Sequence, residues 1–140
     1  MKGRPRFYIE AEGSNVEALK RGLAWLAEAA ARSNATEGIL AMTTKKNVRR
    51  TVGEVTGDEA AKALEDGRPV SLKGGVTLKL VTHHMSLYPR TPIPVLCVYV
   101  TKSHLDKIDR APRVSEMCVV PWTMDEVRHW IETWQAVRLT

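Results

Sequence analysis

Six consecutive residues near the middle of the chain, Val95-Leu96-Cys97-Val98-Tyr99-Val100, carry no charged side chain. A strand alternates its side chains between two faces, so an apolar run of this kind must be covered on both. The centre of a sheet with helices on each side meets that condition. The segments around the run supply the other layers. Arg6 to Glu12 sets Phe7, Ile9 and Ala11 against Tyr8, Glu10 and Glu12, a period of two that reads as a half-buried strand near a sheet edge. Ser14 and Glu17 then form an S-x-x-E capping box. Val16, Leu19, Leu23, Leu26, Ala27 and Ala30 fall on one stripe of a helix expected over 14–32.

The alternation continues to the end of the chain. Residues 38–43 read as a short buried strand, and Lys45 to Val52 as the opening of a helix. A T-x-x-E box at Thr56 and Glu59 starts a further helix that stops at Gly67. Val70–Leu72 and Val76–His83, joined by Lys73-Gly74-Gly75, read as a hairpin or strand pair. Pro89, Pro92 and Pro94 restrict the backbone of a loop over 85–94, the one segment placed to act as a lid. Ser103 and Asp106 open a short helix that ends before Pro112, and Val114–Pro121 is another strand. Thr123 and Glu126 start the last helix, with Val127, Trp130, Ile131, Trp134 and Val137 on its buried face. Strands separated by helices imply crossover connections. The expected fold is therefore α/β, similar to a Rossmann-like three-layer sandwich. Its sheet is largely parallel, with about five to six strands, helices on both faces and a hairpin near 70–83. The 140 residues make one domain spanning 1–140.

Composition narrows the class. Apolar residues at 44% and charged residues at 26% are globular proportions and argue against disorder. No run of about 18 apolar residues is present, so no membrane span is expected. The basic N-terminus lacks the apolar core of a secretory signal. Cys97 and Cys118 each sit in an apolar run with no CxxC or Cys/His spacing, and read as buried free thiols. Together these point to a cytoplasmic protein.

In open α/β sheets ligands bind outside the carboxyl ends of the strands. Those ends read Thr43-Thr44-Lys45-Lys46-Asn47, Thr82-His83-His84, Thr101-Lys102-Ser103-His104 and Trp122-Thr123. Hydroxyls and cations beside helix N-termini suit an anion. Thr43, Thr44, Lys45, Lys102 and Ser103 are thus the expected binding residues for a phosphate- or carboxylate-bearing small molecule. His83 is the one candidate general base. Thr and Ser at these places also serve as helix caps. There is no G-x-x-x-x-G-K-[ST], no G-x-G-x-x-G and no G-x-S-x-G, so no nucleotide cofactor or nucleophile elbow is expected. His83 and His84, adjacent on a strand end, are expected on opposite faces, and His104 and His129 have no H-x-x-x-H partner, so no metal is expected either. Glu10 and Glu12 share a strand face that is compatible in principle with magnesium.

Two other functions fit the residues. The net charge is +5, with basic clusters at Lys2, Arg4 and Arg6, at Lys45, Lys46, Arg49 and Arg50, and at Arg110 and Arg113. A nucleic-acid-associated module would use Lys46, Arg49, Arg50 and the N-terminal arm. The charge is modest for that purpose, and the aromatics do not interleave with it, although Trp122 at a strand end is placed to stack on a ring. A protein-interaction domain would instead use the last helix, with Trp130 and Trp134 anchoring a homodimer.

Overall fold

The structure, a computed structural model, describes residues 4–43, 48–85, 87 and 89–139, with only the backbone described at 73. In chain order the strands are β1 (Arg6–Tyr8), β2 (Glu37–Ala41), β3 (Val70–Ser71), β4 (Thr77–Val81), β5 (Ile93–Val98), β6 (Val114–Val120) and β7 (Val137–Arg138). The helices are α1 (Val16–Arg32), α2 (Val48–Thr51), α3 (Gly53–Thr56), α4 (Asp58–Glu65), α5 (Lys102–Arg110) and α6 (Met124–Trp134). Strand β5, which holds Val95–Val98 of the apolar run that demands cover on both faces, is buried at every residue. It lies between β2 and β6, parallel to both. The sheet order is β3-β4-β2-β5-β6-β1-β7. Among the described residues only the short β3–β4 pair is antiparallel, which is the expected hairpin.

Helices cover the two faces. Leu40, Leu78, Leu96 and Cys118 point toward α1, α2 and α4, whereas Ile39, Val95, Cys97 and Met117 point toward α5 and α6. The fold is therefore a Rossmann-like three-layer α/β sandwich. The two cysteines sit on neighbouring strands but face opposite layers. Both are buried free thiols, and burial pushes the Cys118 thiol up to about 12 and that of Cys97 higher still. No described helix is long and apolar enough to cross a membrane.

Seven strands form where five or six are expected. The additional one is β7. Helix α6 stops at Trp134 because Gln135 adopts a left-handed conformation (φ 52°), which turns the chain back along β1. Val137 therefore lies exposed on an edge strand and not on the buried face of the helix. The caps also differ from expectation. Asn15, not Ser14, caps α1 by accepting from Ala18 N at 2.9 Å. Thr56 does not cap α4: it still belongs to α3, and its hydroxyl donates back to Val52 O at 2.9 Å. Thr101, not Ser103, caps α5. The Thr123–Glu126 box forms as expected. Pro94 lies inside β5, beside a register shift at Ile93/Pro94.

One polar cluster crosses the layers. Arg6 on β1 is buried and meets Asp109 of α5, with Nη2 to Oδ1 at 2.6 Å and Nε to Oδ2 at 3.2 Å. The Trp130 indole N–H of α6 donates to the other side of the same carboxylate, Oδ2, at 2.7 Å. The Arg6 guanidinium also lies 3.9 Å from the centre of the Trp134 ring. A single carboxylate thus joins the first strand to both helices of that layer.

Candidate anion site at the strand ends

The chain leaves β2 toward β4 and leaves β5 in the opposite direction, toward β6. The carboxyl ends of β2 and β5 therefore flank a topological switch point, where the outgoing connections part and leave a crevice. Thr43, just past β2, and Thr101, just past β5, meet there. Thr43 Oγ1 accepts from Thr101 N at 2.9 Å and lies 3.3 Å from His104 Nδ1. A hydroxyl can accept twice and donate once, so Thr43 donates to Nδ1 in one tautomer of the neutral ring and accepts from it in the other. The first of these tautomers carries the imidazole proton on Nε2. The ring is neutral in both, and burial, then His83, then Lys107 hold its pKa down at about 4.

Helix α5 begins at this crevice. Its Thr101 cap accepts from His104 N at 3.3 Å. The N–H groups of Lys102 and Ser103 have no partner among the described residues, and both side chains are exposed. The first turn of α5 contains no acid, whereas α1 has Glu17, α4 has Asp58 and Glu59, and α6 has Asp125 and Glu126. The α6 start is further occupied by Glu12, whose carboxylate accepts from Met124 N at 2.7 Å. Of the four described helices with eight or more residues, α5 alone presents an N-terminus without carboxylates.

The expected site residues are distributed as follows. Thr43, Lys102 and Ser103 come together at the switch point. Thr44, Lys45 and Lys46 lie outside the described residues. His83 comes to the edge of the same region, but not as expected. The chain turns at 82–85, with Met85 N donating to Thr82 O at 3.0 Å, so His83 and His84 are not split between two faces. Their rings stack at 5.9 Å, and His83 stacks in turn on His104 at 5.0 Å. Stacked rings present faces to one another, not converging nitrogens. Among the described residues no group of three or more His, Cys, Asp or Glu is placed to hold a metal ion. Glu10 and Glu12 go to separate tasks, Glu10 pairing with Arg138 at 2.9 Å. Thr101 and His104 are the two residues undervalued by sequence reasoning. Their signal was present: a hydroxyl directly after an apolar strand is itself the better cap.

The other candidates are largely occupied. Arg6 cannot reach a nucleic-acid phosphate, because its guanidinium is buried against Asp109. Arg49 pairs with Glu65 at 3.2 Å, and Arg50 is exposed on α2. Arg113 donates to the Arg90 carbonyl at 2.8 Å and so pins the proline loop. Trp130 is buried, and Trp134 is half-exposed with its ring against Arg6. Trp122 is half-exposed at the end of β6 and meets Tyr99 edge-on at 5.1 Å. A groove of about 510 Å³ between α5 and α6 carries both signs of charge, from Lys102, Arg110, Asp106 and Glu126. Compared with family models, curated proteins and solved structures, the chain matches none.

Proposed function

We propose that this chain binds a small phosphate- or carboxylate-bearing molecule at the carboxyl ends of β2 and β5. The observation that carries this reading is the acid-free start of α5 at the switch point. The backbone N–H groups of Lys102 and Ser103, the Ser103 hydroxyl and the Lys102 ammonium supply the contacts. Thr43 acts as a brace, since its hydroxyl is hydrogen-bonded to both Thr101 and His104. Thr44 and Lys45 follow Thr43 directly in the chain and belong to the same proposal. Two buried free thiols fit a reducing, cytoplasmic setting.

The test is thermal unfolding with inorganic phosphate, sugar phosphates and nucleotides at low ionic strength. A ligand present at a hundred times its Kd stabilises by about 2.7 kcal/mol. Lys102→Glu is expected to abolish that gain, and Lys45→Ala to reduce it. No stabilisation by any of these compounds, or an unchanged gain in Lys102→Glu, overturns the proposal.

A further inference from the structure

Between the turn that follows β4 and helix α5 lies a cavity of about 160 Å³. Val81, Leu87, Ile108 and Ala111 give it apolar walls, and His104, Lys107 and Arg110 line it as polar groups. No carboxylate lines it among the described residues. His104 is the residue that calls for explanation. It is 1% exposed, and a buried donor left without a partner costs about 1–3 kcal/mol. Its Nδ1 is engaged by the Thr43 hydroxyl, and where that hydroxyl donates, the ring hydrogen lies on Nε2. Among the described residues Nε2 has no hydrogen-bond partner, and His104 lines the cavity. Lys107 Nζ donates to His83 O at 2.7 Å and to Met85 O at 3.2 Å. An ammonium has three N–H groups, and the third is left over.

We infer that this cavity binds a small carboxylate with a short apolar tail, its oxygens taken by His104 Nε2–H and the Lys107 ammonium. Three donor-bearing side chains with no acid among the described lining residues select an anion or strong acceptor over a cation. The apolar walls select a hydrocarbon tail. The size limits it: the cavity is smaller than the roughly 300–1,000 Å³ that drug-sized ligands fill. The site is separate from the α5 N-terminus, since neither Lys102 nor Ser103 lines it.

Butyrate is the probe, followed by saturation-transfer NMR and calorimetry on the full chain, with butylammonium as the size-matched cation. Butyrate is expected to bind with a Kd in the millimolar range, and butylammonium at least tenfold more weakly. Ala111→Leu, which fills the cavity and leaves His104 in place, is expected to weaken butyrate at least tenfold. Lys107→Met, at an exposed position, provides the second variant and is expected to weaken it about fivefold. Absence of butyrate binding, equal binding of the cation, or unchanged affinity in a folded variant of either kind overturns the inference. Phosphate binding at Lys102 is read separately, so failure here leaves that proposal standing.

Discussion

Replacing Asp109 with Ala tests whether one buried ion pair fixes α5 against the sheet. The side chains of Arg6 and Asp109 are 8% and 7% exposed, so neither charge is hydrated in the fold. The carboxylate accepts from Arg6 Nη2 at 2.6 Å and from Trp130 Nε1 at 2.7 Å. Removing it leaves a guanidinium and an indole N–H buried without their acceptor. Breaking a buried pair from one side costs about 3–5 kcal/mol. Total stability for a domain of this size is about 5–15 kcal/mol, so the variant gives up about a fifth or more of it. At about 3 °C per kcal/mol, Tm falls by about 10–15 °C. The assay is urea unfolding of Asp109→Ala, Arg6→Met and the double variant Arg6→Met/Asp109→Ala. The double variant is expected to be more stable than the sum of the single losses predicts, because no charge is left unpaired. A loss under about 1 kcal/mol in Asp109→Ala, or simple additivity in the cycle, refutes the reasoning.

Two further outcomes follow from particular contacts. His104 titrates near 6.5 in the unfolded chain and near 4 in the fold, where burial, the His83 ring and the Lys107 ammonium disfavour its charge and the Thr43 hydroxyl occupies Nδ1. Between those values the unfolded chain holds the proton and the folded one does not, so this contribution to stability is lost as pH falls. The stability difference between wild type and His104→Leu, from urea midpoints, is expected to shift against wild type by about 2–3 kcal/mol from pH 7 to pH 4.5; a constant difference contradicts it. Gly22→Ala gains about 1 kcal/mol of helix propensity, but its Cβ would stand 2.9 Å from Leu96 Cδ1 and 3.1 Å from Val120 Cγ2. Both neighbours are fully buried, so overpacking of about 1–3 kcal/mol outweighs the gain, and a stabilised variant in urea unfolding would show the contact to be soft.

Much of the layered fold was readable because each layer leaves a local periodicity. The caps show where local reading stops. Ser14-x-x-Glu17, Thr56-x-x-Glu59 and Thr123-x-x-Glu126 have the same form, yet only the last makes a box. A cap needs an extended backbone, and Thr56 is still helical when its hydroxyl becomes available. Arg6 shows a second limit. It alternates with Phe7 and so reads as the solvent face of a half-buried strand, but α5 and α6 cover that face, and its counterion lies 103 residues away. Part of the basic charge that suggested a nucleic-acid surface is thus interior.

The switch point was legible only in pieces. The Thr43 and Thr101 segments both stood out as strand ends, but nothing local states that β2 lies beside β5, and the bond between residues 58 apart depends on that order. Once the order is known, the composition of the helix starts becomes informative. A carboxylate in the first turn of a helix contributes about 0.3–1 kcal/mol, and α1, α4 and α6 each carry at least one. At α5 that contribution is forgone, and Lys102 stands in the first turn instead. A local loss of stability located where two diverging connections open a crevice is the pattern expected of a site kept open for an anion.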